Sequence, residues 1–135
     1  MVDLEQTHFL GIEASEINDK FVQISLVLRE LDPKLGRFEK MFSNGKKLGF
    51  EHGNKVQFQQ QDIKIECEII DKGLDFTCSV TSDKAIYKLN VDDFPDAIIA
   101  KSSFLLLKRN MVQLKLAKSP GSASWRPYLA TKSFS

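Results

Sequence analysis

Cysteine is scarce in this sequence: Cys67 and Cys78 are the only two in 135 residues. Two thiols cannot make a disulfide framework, and they fall short of a zinc site. Histidine is as rare, with only His8 and His52. Neither stands in an H-E-x-x-H motif, and there is no G-x-S-x-G elbow and no glycine-rich phosphate loop. The expectation is therefore a protein that is not an enzyme and uses no cofactor or metal. The nearest thing to a cation site is the acidic cluster Asp92, Asp93 and Asp96, whose spacing does not match a calcium loop. No uninterrupted apolar run exceeds four residues, as in Phe104 to Leu107, whereas a membrane helix needs about 18. The first ten residues lack a basic start followed by an apolar stretch, so the expected location is cytoplasmic, with the nucleus as a further possibility, and no membrane partner is expected.

Acidic residues are absent from the last part of the chain. Residues 101–135 hold seven cations (Lys101, Lys108, Arg109, Lys115, Lys118, Arg126 and Lys132) against no carboxylate, a net +7, while residues 1–100 sum to −6. A segment of one sign can steer an acidic partner. It has few aromatics spaced for base stacking, and the whole chain is nearly neutral at +1, so nucleic acid is not the expected partner.

What is present is ordinary globular material of single-domain length, 42% hydrophobic and 27% charged. Its dominant period is two, not 3.6. Val22, Ile24, Leu26 and Leu28 mark one strand after a turn at Asn18-Asp19-Lys20. Ile63, Ile65, Cys67 and Ile69 mark another, and Leu74, Phe76, Cys78 and Val80 a third. With Lys72-Gly73 as a two-residue hairpin loop, Ile69 would face Phe76, Cys67 would face Cys78, and Ile65 would face Val80. Ala85, Tyr87, Leu89 and Val91 follow in a further strand. Asp92 to Ile99, with Pro95, reads as a crossover between sheets. Ser103, Leu105 and Leu107 pair with Leu116, Leu114 and Val112 around Arg109-Asn110, leaving Phe104, Leu106, Lys108 and Lys115 on the other face. A brief strand is expected at Val56 to Phe58. Asp32 to Asn54 reads as a long loop in which Leu35, Phe38 and Phe42 could form one helical turn. About seven short strands imply an all-β protein, an antiparallel β-sandwich.

From Ala85 onward the sequence resembles the end of the CS domain, the heat-shock protein 20-like sandwich module of several co-chaperones. The pattern is a Tyr-x-Leu strand (Tyr87, Leu89), an acidic-to-apolar crossover, and a strand pair. Its last strand closes on a lysine (Val112, Leu114, Leu116, Lys118), and a tryptophan and a leucine follow (Trp125, Leu129). The stretch from Asp19 to Leu26 is similar to the first strand of that domain. Within the family the likeness is greatest to the calcyclin-binding, or Siah-interacting, branch. It covers roughly Lys20 to Leu129, with an insertion at about 32–60, an extension before residue 19 and a tail after 130. The resemblance implies a monomeric co-chaperone or adaptor of heat-shock protein 90 or of a chaperone–client assembly. It would dock by a basic and aromatic sheet face, with Tyr87, Lys88, Lys101, Phe104, Lys115 and Lys118 as partner-binding residues. A ubiquitin-ligase scaffold and a holdase for unfolded clients are the alternatives. Trp125 is expected to plug the end of the core.

Overall fold

A computed structural model describes residues 4–28, 46–50, 53–60, 62–81, 84–132 and 134. Ten strands lie among them: β1 Glu5–Gln6, β2 Gly11–Glu16, β3 Phe21–Val27, β4 Lys46–Gly49, β5 Lys55–Gln60, β6 Ile63–Ile70, β7 Gly73–Val80, β8 Ala85–Val91, β9 Phe104–Lys108 and β10 Met111–Ala117. A 3₁₀ turn at Ala100–Ser102 and a short helix, α1 Arg126–Thr131, complete the elements. The strands form two sheets of five. The first runs β1-β8-β7-β6-β5 and the second β2-β3-β10-β9-β4. All pairings are antiparallel except β1 with β8. The molecule is thus an all-β sandwich, with ten strands among the described residues instead of about seven.

The period-two pattern explains the packing. Side chains alternate across a strand, so Ile65, Cys67 and Ile69 of β6, Phe76 and Cys78 of β7, and Tyr87 and Leu89 of β8 face inward from the first sheet. They meet Ile24, Leu26, Leu105, Leu107, Val112 and Leu114 of the second in one buried cluster. Each fully buried Leu or Ile contributes about 1.5–3 kcal/mol by leaving water. Among the described residues, every buried side-chain nitrogen or oxygen has a hydrogen-bond partner.

The β6–β7 hairpin departs from its expected register. Asp71 and Lys72 form the loop, and Ile70 pairs with Gly73. Cys67 therefore faces Phe76, Ile65 faces Cys78, and Ile63 faces Val80. The shift is two residues, so the inward set is unchanged while each inward residue of β6 meets a partner two positions earlier on β7. Asp71 takes the positive φ of 50° that the turn requires, a conformation that Asp tolerates. Gly73 is needed for a different reason: a Cβ there would collide with the backbone carbonyl oxygen of Val91. The β9–β10 hairpin has the expected register, with Leu105 opposite Leu114 and Leu107 opposite Val112. Asn110 takes the turn's φ of 59°.

The expected extension before residue 19 supplies one strand to each sheet, β1 to the first and β2 to the second. Asn18 then turns the chain: its Oδ1 accepts the backbone N–H groups of Lys20 and Phe21 at 2.8 and 2.9 Å. The stretch taken as an insertion at about 32–60 contains β4 and β5, and the helical turn expected over residues 35–42 lies outside the described residues. The crossover from Asp92 to Ile99 does join the sheets. Phe94 is buried, its N–H donates to the Lys72 carbonyl at 2.9 Å, and Ile98 bridges to Lys118 beyond β10.

Candidate functional site

The two outer faces of the sandwich differ in chemistry. On the first sheet the outward side chains are mostly polar and of both signs. Lys55 lies opposite Glu68, Gln57 opposite Glu66, and Asp75 opposite Asn90, and Lys64 pairs with Glu66 at 3.1 Å. On the second sheet the outward positions are largely apolar and cationic. They include Phe21 and Val27 of β3, Lys47 of β4, Phe104, Leu106 and Lys108 of β9, and Met111 and Lys115 of β10, with Gln23 and Ser25 of β3 and Gln113 of β10 between them. Its outward carboxylate among the described residues is Glu13, on the edge strand β2.

Phe104 is the centre of this face. Its ring meets that of Phe21 edge-on with 6.3 Å between centroids. The Lys47 ammonium stands 4.3 Å above the ring, a cation–π contact. Lys115 lies opposite Phe104 in the ladder and donates a hydrogen bond to Gln23 Oε1. Partial burial holds the Lys115 ammonium below the ordinary lysine range, and neighbouring Lys108 adds to the effect. A carboxylate brought next to Lys115 would favour the charged ammonium and so offset both effects.

The six residues expected to bind a partner do not share this face. Phe104 and Lys115 do. Lys88 is exposed on the outer face of the opposite sheet, and Lys101 is exposed on the 3₁₀ turn after the crossover. Tyr87 is 1% exposed. It points into the core, where the Phe9 ring packs on it at 5.5 Å. The expectation that it faces a partner is corrected: it shares the inward phase of Ala85, Leu89 and Val91. Lys118 is also enclosed. Its Nζ lies 3.1 Å from Glu16 Oε2, with the two side chains 2% and 8% exposed, so it cannot supply long-range attraction at the surface. Phe21 and Lys47 belong to the face but were not singled out in the sequence. Phe21 was legible as the residue preceding the inward Val22. Lys47 was not, because Leu48 is the one large apolar residue of its strand.

Glu16 organises the end of the sandwich. Besides Lys118, its carboxylate accepts the Trp125 backbone N–H at 2.6 Å and the Ser124 hydroxyl at 3.1 Å. The Trp125 N–H is the largest influence and holds the carboxyl below its usual range; desolvation opposes it, and the Lys118 and Ser124 bonds add to the lowering. Trp125, fully buried, plugs the core as expected, its ring tilted against that of Phe94 with 5.1 Å between centroids, and its indole N–H donates to Ser122 Oγ at 3.3 Å. Within the acidic cluster, Asp93 is engaged by Lys132 at 3.0 Å and the Tyr128 hydroxyl at 2.9 Å. Among the described residues no group of three or more His, Cys, Asp or Glu side chains is placed to hold a metal ion. Burial pushes both cysteine thiols up to about 12, which suits packing and not nucleophilic attack.

No family model, no curated protein and no solved structure matches the chain.

Proposed function

We propose that the protein is a binding module that docks on another protein through the outer face of its second sheet, in the manner of a co-chaperone or adaptor. The observation that carries this reading is the asymmetry between the two faces. One is mostly polar and carries both signs of charge, with Lys64 paired to Glu66 and Ile70 as an exposed apolar residue. The other groups Phe21, Phe104, Leu106 and Met111 with Lys47, Lys108 and Lys115. Contiguous outward apolar groups on a soluble domain mark interaction surfaces. Lysines around them select a partner surface with acidic groups, chiefly by raising the association rate and rejecting basic partners. The binding is reversible and involves no covalent step. Heat-shock protein 90 is the partner that the CS-domain resemblance brings, and the cationic character of the face supports an acidic docking surface of that kind.

The test is calorimetric titration of purified heat-shock protein 90, with and without nucleotide, against the wild-type protein and the Lys108→Glu, Lys115→Glu double variant. The reading requires saturable binding that charge reversal weakens by about tenfold or more. Equal binding by both proteins at low salt contradicts the chosen face. Suppression of aggregation by large oligomers, with no defined stoichiometry, would favour the holdase alternative.

A further inference from the structure

The first sheet is incompletely covered at its β8 edge. β1 pairs with β8 only through Glu5 opposite Ala85 and Gln6 opposite Ile86. The Glu5 N–H donates to the Lys84 carbonyl at 2.7 Å and the Thr7 N–H to the Ile86 carbonyl at 2.9 Å. The chain then leaves for the other sheet, where the Leu10 N–H reaches the Val27 carbonyl at 2.8 Å. Backbone groups alternate sides along a strand. Lys88 and Asn90 therefore project their N–H and C=O groups to the same side as Lys84 and Ile86, and no described backbone bond reaches them there.

A cavity of about 690 Å³ lies at this uncovered edge, within the range of ligand sites. Phe9, Ile12, Leu129 and Phe134 supply its apolar walls, and Lys88, Leu89 and Asn90 its strand side. His8 and Lys132 also line it, and none of its lining residues is acidic. Lys132 is shared with Asp93. Lys88 has no ion-pair partner among the described residues.

We propose that this edge is a strand-addition slot, which takes an extended peptide of alternating acidic and apolar residues alongside Lys88–Asn90. The peptide backbone continues the short ladder that β1 begins, so hydrogen bonds supply affinity whatever the sequence. One set of its side chains enters the cavity against Phe9, Ile12 and Leu129. The other set lies on the outer side beside Lys88, where a carboxylate meets an unpaired ammonium. The slot is distinct from the docking face of the second sheet and does not depend on it.

The test is fluorescence anisotropy of a labelled eight-residue peptide of alternating Glu and Val, titrated with the full protein. Saturable binding is expected. Methylating the backbone nitrogens of alternate peptide residues removes the donors without altering charge, and in one of the two phases affinity falls about tenfold, as expected for two lost hydrogen bonds. Lys88→Glu weakens the peptide about fivefold or more, while Lys108→Glu with Lys115→Glu leaves it unchanged. Absence of saturable binding overturns the slot. So does equal binding by the peptides methylated in either phase, a comparison made on the wild-type protein and therefore independent of how any variant folds. Loss of peptide binding in the Lys108, Lys115 double variant would move the site to the other sheet.

Discussion

Lys118 and Glu16, 102 positions apart in the chain, meet at the end of the sandwich with Nζ 3.1 Å from Oε2. The contact ties the last residue of β2 to the residue after β10 and draws in Trp125 through its backbone N–H. It also settles what the two neighbouring lysines do. Lys115 and Lys118 stand three positions apart along an extended chain, so they point to opposite sides. One is at the surface and the other closes the core.

Charge reversal therefore separates them. Lys118→Glu places a second carboxylate against Glu16 in an enclosed space and lowers the thermal midpoint sharply. Lys115→Glu shifts it little, because a charge change on the outer face stays in contact with water. Thermal unfolding followed by circular dichroism measures both, and equal midpoints for the two variants would refute the assignment.

The Glu16 carboxyl has its folded-state pKa depressed, first by the Trp125 N–H. Its contribution to stability is therefore present above the unfolded value, about 4.3, and is lost as pH falls through the lower folded value. Glu16→Gln removes this contribution. Urea midpoints measured from neutral pH down to about pH 3 should fall less steeply in the variant below about pH 4.3. Parallel curves would show that the carboxylate is not held by these bonds.

Gly73→Ala should destabilise the fold by about 1–3 kcal/mol, the usual cost of overpacking. The added methyl meets the Val91 carbonyl and, at 3.0 Å, the Asp92 Cα, both backbone atoms that cannot swing aside. Gly53→Ala is the control, since nothing lies within 4 Å of its Cβ position, although its φ of +79° adds strain of its own. Denaturant midpoints decide the matter: a neutral Gly73→Ala would mean that β7 and β8 are not so close.

Cys67 and Cys78 should react with a thiol reagent only as the protein unfolds. Both are buried, with thiols pushed up to about 12, so almost no thiolate exists near neutral pH. Labelling of native protein at neutral pH, compared with labelling in denaturant, checks this. Rapid reaction of either thiol in the native state would contradict its burial.

The central strands were legible in the sequence because each is buried on one face, which writes a period of two into the chain. β3, β6, β7, β8, β9 and β10 all show it. The strands that escaped notice, β1, β2 and β4, are edge strands. β1 has no apolar residue, and β2 and β4 have Ile12 and Leu48 as their one large apolar residue each. An edge strand buries less, so selection for alternation is weaker there. The site was legible in part. Phe104, Leu106, Lys108 and Lys115 follow from the phase of one hairpin. The same phase already placed Tyr87 among Ala85, Leu89 and Val91, and only the family resemblance turned it outward. Lys118 shares the phase of Val112, Leu114 and Leu116, which put an ammonium inside. The partner that makes this tolerable lies on β2, one of the strands the pattern did not reveal.

The most direct test of the account is a chemical-shift map of the isotope-labelled protein titrated with the nucleotide-binding domain of heat-shock protein 90. Perturbed backbone signals should cluster at Phe21, Lys47, Phe104, Leu106 and Lys115, leaving Glu66, Glu68 and Thr77 unmoved. Signals that shift on the opposite sheet instead, or no shift at all, would contradict it.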